Sequence, residues 1–222
     1  MDESLLKGFA FYGQLNEEEK AALQSSAREH VFPQGAEVYR GDCSGLMQVE
    51  KGRLRAYVLS DTGREITLYR LERGDVCLFS ASCALRGIRF DVFVRAETDV
   101  RVLLIPADAY KKVMQTSVPA AAYTNELMAE RFSRVMWVLD EVLNKKFDAR
   151  LAALLLQEAE FAKGDTLNIT HEQIAAHLGT VREAVSRMLK YFEREGLVSL
   201  SRGTVRLLDM DDLRLLAKEQ KN

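Results

Sequence analysis

The spacing of apolar residues divides the chain into regions of different structure. In the first hundred residues, short β-branched and aromatic runs alternate with turn residues at roughly ten-residue intervals, as in a small antiparallel barrel or roll. The predicted strands cover residues 31–33, 37–39, 45–50, 54–59, 65–71, 91–96 and 100–105. A helix over residues 15–23 is expected to pack on the outside of this roll.

A long helix is predicted over residues 119–143. Its positions Ala121, Asn125, Met128, Phe132, Val135, Leu139 and Val142 follow alternating steps of four and three. This spacing is typical of a coiled-coil seam and favours pairing with the same helix of a second chain. A core helix within one chain is the alternative. The predicted dimer contacts are Met128, Phe132, Val135, Leu139 and Val142. Trp137 lies off this seam and is expected to pack within its own chain.

Two short helices joined at Gly179 are predicted in the C-terminal third, after a further helix over residues 151–161. Glycine suits the positive φ of a tight turn between helices. Thr170 with Gln173, and Thr180 with Glu183, fit the capping-box pattern that starts a helix. The pattern predicts a helix-turn-helix.

The second of these helices carries the candidate DNA contacts near its N-terminus, the end of a recognition helix that reaches the bases. Arg182 and Arg187 can each donate two hydrogen bonds to guanine, and Glu183 can accept from cytosine. A capping role competes for the Glu183 carboxylate, and a solvated helix face is the alternative for both arginines. The predicted DNA-binding residues are Thr180, Arg182, Glu183, Ser186, Arg187, Lys190 and Arg202.

A hairpin is predicted directly after the recognition helix. The β-rich runs 197–200 and 204–208 are joined by Ser201, Arg202 and Gly203. A helix-turn-helix followed by a hairpin is a winged helix, with Arg202 placed to contact a phosphate. Positions 182 to 206 contain six Lys or Arg and three acidic residues, whereas the whole chain has net charge −2. The basic character is therefore local, as a DNA footprint requires.

Length and composition fit a cytoplasmic protein of two domains. The 222 residues suffice for two cores, and 47% hydrophobic with 29% charged residues is an ordinary globular profile. The chain has no apolar run of 18 residues, as a membrane span would need, and it lacks the basic N-terminal start of a signal peptide. The predicted organisation is a β-roll domain over 1–118, a dimerisation helix over 119–145 and a DNA-binding domain over 146–222.

In this arrangement the chain resembles the cyclic-AMP receptor protein and FNR family of bacterial transcription regulators. Residues 181–187, Val-Arg-Glu-Ala-Val-Ser-Arg, match the family pattern Arg-Glu-x-Val-Gly/Ser-Arg, and the turn glycines match its sensor roll: Gly35, Gly52, Gly63 and Gly74. The resemblance covers nearly the whole chain. It implies an α+β fold: an N-terminal β-roll sensor like a cyclic-nucleotide-binding domain, a long dimerisation helix and a C-terminal winged helix-turn-helix. It also implies a homodimer, controlled by an effector, that binds palindromic DNA and contacts RNA polymerase.

The effector-binding segment departs from the family's cyclic-nucleotide binders. Those proteins carry a Gly-Glu-Leu stretch and an Arg-Ser/Thr-Ala stretch for the ribose and the cyclic phosphate. Aligned back from residues 94–96, the phosphate arginine becomes Phe90, with Arg89 one residue early and Asp91 following. An unpaired carboxylate there would repel a phosphate. Cyclic AMP is therefore not the expected effector, whose identity stays unknown.

We expect the effector to lie between this segment and the long helix. Thr124 and Asn125 place polar groups on a mostly apolar helix, and a buried polar group needs a partner that an effector could supply. The alternative for Asn125 is that it fixes the register of the seam. The predicted effector-binding residues are Phe79, Ser80, Ser82, Cys83, Arg89, Thr124, Asn125 and Met128.

The cysteines leave several possibilities open. An FNR-type iron–sulfur cluster needs four cysteine ligands, and the chain has only Cys43, Cys77 and Cys83. A redox-active pair, or a haem or metal site completed by His30, is one interpretation. The other is that the cysteines are small buried hydrophobic residues. No metal site is predicted.

Two other functions are weighed against DNA binding. A cupin-like metal enzyme built on a β-roll needs clustered His and carboxylate ligands. Only His30, His171 and His177 are present, and two of them lie in the DNA-reading segment. A cyclic-nucleotide-binding regulatory protein would need the phosphate segment that is broken here. The sequence favours a transcription regulator over an enzyme.

Overall fold

The computed structural model describes residues 3–39, 44–78 and 91–219. The chain forms two compact units. The first comprises Met1–Val58 and Leu68–Val135, and the second comprises Leu59–Thr67 and Met136–Asn222. Residues 59–67, from the middle of the predicted strand region, thus belong to the same unit as the C-terminal part of the chain.

The first unit contains the predicted β-roll. Its strands are β1 (Arg28–Phe32), β2 (Glu37–Tyr39), β3 (Gly45–Lys51), β4 (Leu54–Leu59), β5 (Glu65–Leu71), β6 (Val76–Cys77), β7 (Phe93–Ala96) and β8 (Val100–Pro106). One sheet has the order β1-β8-β3-β6, and the other has the order β2-β7-β4-β5. Met47 and Val49 of the first sheet share a buried core with Ala56 and Val94 of the second. Strand β6 was not predicted from the sequence.

Helices cover the roll through a second buried cluster. They are α1 (Glu3–Leu6), a 3-10 helix (Tyr12–Gln14), α2 (Glu17–Ser26), α3 (Ala107–Thr116) and the first part of α4 (Val118–Asn144). The predicted helix α2 begins after Asn16, whose side chain accepts from the Glu19 N–H while the Glu19 carboxylate accepts from the Asn16 N–H. Helix α3, which was not predicted, buries Tyr110 and Val113.

The long helix α4 is confirmed to within one residue at each end. Its buried side carries Ala120 and Leu127. Phe132 and Leu139 are 68% and 46% exposed. At 100° per residue, this exposed stripe is turned by roughly 120° from the buried side. The expectation for Trp137 is wrong: it lies on a third side of the helix and is 61% exposed.

The second unit contains the predicted winged helix-turn-helix. After α4 come α5 (Phe147–Ala162), β9 (Thr166–Leu167), α6 (His171–Leu178), α7 (Arg182–Arg194), β10 (Val198–Ser201), β11 (Thr204–Leu207) and α8 (Met210–Leu216). The strands form one sheet of order β10-β11-β9. Leu151, Ile174, Leu189 and Val205 contribute to its single core. Strand β9 and helix α8 were not predicted.

Among the described residues, no helix is both long and apolar enough to span a bilayer.

Candidate nucleic-acid interface

The first helix of the motif, α6, begins at the predicted cap. The Thr170 hydroxyl accepts from the Gln173 N–H at 3.2 Å, and the Gln173 side-chain oxygen accepts from the Thr170 N–H at 2.8 Å. This reciprocal pair is a complete capping box. It fixes the start of α6 and leaves the following residues, His171 and Glu172, at the surface of the unit.

The turn between α6 and α7 depends on Gly179. Its φ of +68° is the left-handed conformation that favours glycine. The preceding carbonyl, of Leu178, accepts a hydrogen bond from the Arg150 guanidinium. Burial lowers the pKa of Arg150 from its ordinary value. The turn is therefore held from within the unit by α5 as well as by its own backbone.

The start of the recognition helix α7 differs from the prediction. Its N-cap is Val181, which makes no side-chain capping bond, so the expected box between Thr180 and Glu183 is not formed. The reason is one of register: the helix begins one residue later than a cap at Thr180 would require. The Glu183 carboxylate is exposed and makes no hydrogen bond within the described part of the chain. It is thus available to contact a base.

The two sides of α7 differ in burial as predicted. Val185 and Leu189 are fully buried in the core of the unit, together with Phe192. The other side presents the predicted DNA contacts, of which Ser186 is half-buried and the rest are exposed: Arg182, Glu183, Arg187 and Lys190. This helix therefore offers three cations and one carboxylate along one face.

The wing follows α7 and is attached to it. Strands β10 and β11 pair from Val198 with Leu207 to Ser201 with Thr204, leaving Arg202 and Gly203 as a two-residue turn. The Glu193 carboxylate of α7 accepts from the Leu200 N–H of β10 at 3.0 Å. Arg202 is exposed at the tip.

Arg206, on the wing strand β11, has a partner that Arg202 lacks among the described residues. Its guanidinium contacts the Asp165 carboxylate at 3.2 Å. Hydrogen bonds from the Thr166 hydroxyl and, second in size, from this guanidinium lower the pKa of Asp165 from its ordinary value. Of the two arginines of this hairpin, Arg206 is therefore paired with a carboxylate within the described residues and Arg202 is not.

An open groove of about 580 Å³ joins these elements. It is lined by the start of α6, the first residue of α7 and the wing turn: Ile169, Thr170, His171, Glu172, Arg182, Ser201, Arg202, Gly203 and Thr204. Burial, with a smaller effect of the Arg182 charge, lowers the pKa of His171. His171 and Glu172 were not among the predicted site residues, although their position just after the Thr170 cap indicates a place in this groove.

The predicted effector residues are only partly described. Phe79, Ser80, Ser82, Cys83 and Arg89, as well as Phe90 and Cys43, lie outside the described residues. The expectation for Thr124 is not supported, because its hydroxyl already bonds to the Tyr110 hydroxyl at 2.6 Å and to the Ala120 carbonyl at 2.7 Å. Asn125 and Met128 instead lie on the exposed side of α4.

Cys77 and His30 do not share a site. Cys77 is fully buried on β6, whereas His30 is exposed on β1. These strands are the two edges of one four-stranded sheet, so they are about 14 Å apart at ~4.8 Å per strand. Among residues 3–39, 44–78 and 91–219, no group of three or more His, Cys, Asp or Glu could hold a metal ion. The burial of Cys77 agrees with a packing role.

Arg131 of α4 is a buried residue beside the β-roll that was not among the predicted site residues. Its side chain is 4% exposed, and it donates to the Val76 carbonyl at 2.9 Å. The guanidinium also lies 4.9 Å from the centre of the Tyr69 ring. Its buried Nε has no hydrogen-bond partner among the described residues. Burial, and then the proximity of Cys77, raise the pKa of Tyr69 well above its ordinary value.

Comparison with known proteins connects both units to one family. The model of the Crp-like helix-turn-helix domain matches residues 149–216, and that of the cyclic nucleotide-binding domain matches residues 29–117. A crystal structure from Eubacterium rectale, assigned to the Crp/Fnr family of transcriptional regulators, is 46% identical with a TM-score of 0.94. The match covers 96% of this chain and 100% of that one.

Two relatives from Thermus thermophilus are more distant. The chain is 29% identical to its cyclic AMP receptor protein over 202 residues, which are 90% of this chain and 93% of that protein. It is 27% identical to its transcriptional regulator SdrP over 179 residues, 78% and 84% of the two chains. These relatives are transcription regulators and not enzymes, which favours DNA binding over the metal-enzyme alternative.

Proposed function

The chain belongs to the Crp/Fnr family of DNA-binding transcription regulators, and we propose that it acts as an effector-controlled homodimer on palindromic promoter sites. The observation that carries this proposal is the groove in which Arg182 of the recognition helix and Arg202 of the wing lie together. A recognition helix and a wing meeting in one basic groove suit a helix in the major groove with phosphates on its flank.

Each DNA contact follows from its side chain. Arg182 and Arg187 read guanine through two parallel donors, and Glu183 accepts from the cytosine amino group. Lys190 and Arg202 neutralise phosphates, and Thr180 and Ser186 donate to a phosphate or a base edge. The missing capping box supports the role of Glu183, because its carboxylate is not engaged at the helix start.

A second copy of the chain covers the exposed stripe of α4. Met128, Phe132 and Leu139 are each at least 37% exposed, and Val135 and Val142 continue the seam beside them. Leaving a row of large apolar side chains in water is unfavourable, and pairing two identical helices buries it. A two-fold dimer then presents two recognition helices to two half-sites about one helical turn apart.

The effector is a small molecule other than cyclic AMP, bound between segment 79–89 and α4. Asp91, next to the position of the family's phosphate arginine, opposes an anionic phosphate. Asn125 and Met128 lie on the exposed side of α4, so either subunit could contribute them to the effector site. Arg131 lies closer to the roll, where it donates to the Val76 carbonyl. The sensor is then domain 1–118, coupled by the helix 119–145 to domain 146–222. The regulator works in the cytoplasm, where it contacts RNA polymerase.

Selection from a random pool of DNA duplexes tests this function. We expect the purified full chain to enrich a palindrome of two half-sites, and gel-filtration with light scattering to give the mass of a dimer on DNA. The Arg182→Ala, Arg187→Ala double variant should lose this enrichment. Arg214→Ala on α8 is the control and should keep it. Failure of the parent chain to enrich any sequence would refute the proposal.

A further inference from the structure

His171 lies between the recognition helix and the wing. It is the first residue of α6, directly after the Thr170 cap, whose two reciprocal hydrogen bonds with Gln173 fix the backbone there. It is half-buried and lines the groove that Arg182 and Arg202 also line. Within the described part of the chain, neither a hydrogen bond nor an ion pair engages its imidazole. The ring is therefore available to a group that enters the groove.

The charged groups around His171 are mainly cationic. Arg182 lines the groove from the start of α7 and Arg202 from the wing turn, whereas Glu172 is the one carboxylate among the described residues of the lining. The other lining residues are uncharged. Burial first, and then the Arg182 charge, lower the pKa of His171 from its ordinary value of 6.5. In the free chain the imidazole is therefore mostly neutral at about pH 7, with one donor and one acceptor nitrogen.

A DNA backbone at this groove would reverse the charge around the imidazole. In helix-turn-helix docking the first helix crosses the backbone while the second enters the major groove, so a residue at the start of α6 meets phosphates. Duplex DNA carries one negative charge per ~1.7 Å of its axis, and a nearby negative charge favours the protonated form of histidine. A proton from solvent then adds to the acceptor nitrogen, so that both ring nitrogens donate.

We propose that His171 is a phosphate contact that takes up a proton when the chain binds DNA, so that DNA affinity increases as pH falls. This inference rests on the proposed function. It makes the regulator sensitive to pH through its DNA-binding unit, without a ligand in the β-roll. Since phosphate contacts carry no sequence information, the effect should be the same on every duplex.

The direction and size of the effect follow from linkage between the two binding events. If DNA favours the protonated imidazole, protonation favours DNA by the same factor. Between the lowered pKa of the free chain and the higher pKa expected in the complex, each unit of pH increase should reduce the affinity by at most about tenfold for each His171. The affinity should level off below and above this range, because the number of bound protons then no longer differs between the free chain and the complex.

Titrations of the full chain with DNA between about pH 5.5 and 8, at fixed ionic strength, test this contact. The parent affinity should fall with rising pH on the selected duplex and on a random duplex alike. His171→Gln should bind both duplexes at the weaker level of the parent and lose this dependence, whereas His171→Arg should bind at the tighter level throughout. His177→Gln, on the same helix but outside the groove lining, is the matched control and should keep the parent's pH profile.

Two further measurements separate a phosphate contact from a structural role. The salt slope of the parent should be steeper by about 0.9 per His171 at the acidic end of the range than at the basic end, whereas that of His171→Arg should stay constant. In NMR titrations, the Cε1–H signal of His171 should report a higher pKa in the complex than in the free chain.

The outcomes distinguish this contact from the proposed function. Matching pH profiles of the parent and His171→Gln would overturn the proton-linked contact while leaving DNA binding intact, as would a pKa of His171 that is unchanged or lower in the complex. A loss in His171→Gln that is confined to the selected duplex would mean that the ring reads a base, which overturns the phosphate contact. Absence of specific binding by the parent and by both glutamine variants at every pH would refute the proposed function and this inference with it.

Discussion

The DNA-binding unit and the β-roll place their proposed functional residues in different ways. Residues 170–206 contain the helix cap, the recognition helix and the wing, so neighbours in sequence are also neighbours in the groove. The β-roll instead brings together residues that are distant in sequence: Tyr69 of β5, Val76 of β6 and Arg131 of α4. A surface built from one continuous segment can be predicted from its motif. A site assembled from distant segments depends on packing that the sequence does not spell out.

The difference also extends to the ways in which the two regions tolerate change. The reading face of α7 projects side chains from a helix whose opposite side is anchored by Val185 and Leu189. Exposed residues can therefore be replaced without loss of the core. Arg131 and Thr124 are both buried and have internal partners, so a change there affects packing together with any ligand contact.

The largest effect should come from the stripe of α4, which belongs to neither region alone. Phe132→Glu or Leu139→Glu would bury a charge in the paired helices and cost several kcal/mol, about 3–5. Sedimentation should show a monomer, with loss of binding to the selected duplex. Trp137→Glu is the matched control, because Trp137 is similarly exposed on a different side of the helix. An unchanged dimer in both stripe variants would contradict the seam.

Within the reading unit, base and phosphate contacts should separate cleanly. Arg187→Ala should cost about 1–3 kcal/mol on the selected duplex and relax the base preference at one position. Arg202→Ala should weaken all sequences alike and reduce the salt slope by about one unit. Arg206→Ala is the control, since its guanidinium is engaged by Asp165. Binding titrations at several salt concentrations distinguish the three variants, and a base-specific defect in Arg202→Ala would be contrary to expectation.

Thr170 and Thr180 allow a capping box that forms in the structure to be compared with one that was predicted but does not form. Thr170→Ala removes a formed capping box and should destabilise the protein by about 0.5–2 kcal/mol. Thr180→Ala should have little effect on stability, because its box is not formed. Urea unfolding followed by circular dichroism measures both. Equal losses for the two variants would mean that Thr180 caps α7 in solution.

The smallest effect should be the pH dependence contributed by His171. Its pKa in the folded chain is lowered from 6.5 by burial and by Arg182. Between that lowered value and 6.5 the unfolded chain binds the proton that the folded chain excludes, so stability rises with pH and is lost as pH falls. The slope of unfolding free energy against pH between about 5 and 7 should decrease in His171→Gln. A steeper slope in the variant would contradict a lowered pKa of His171 in the folded chain.

The motif and its surroundings could be predicted because each residue has a local reason. Residues 181–187 located the recognition helix, and Thr170 located the start of α6. The exceptions have physical causes. Trp137 was expected to pack within its own chain because it lies off the seam, whereas the register of α4 places it on a third, exposed side of the helix. Arg131 resembles any solvated helix arginine until the fold places the Val76 carbonyl beside it. Thr124 found its partner in Tyr110 of α3, a helix that the sequence analysis had not predicted.

The central claim is that two recognition helices, held by the α4 stripe, read two half-sites at a fixed spacing. The most direct test measures affinity for the selected palindrome and for the same half-sites moved apart by about five base pairs, half a helical turn. The insertion should reduce binding to the level of random DNA, and Phe132→Glu should reduce binding to the original duplex to the same level. Equal affinity for both spacings would contradict the account.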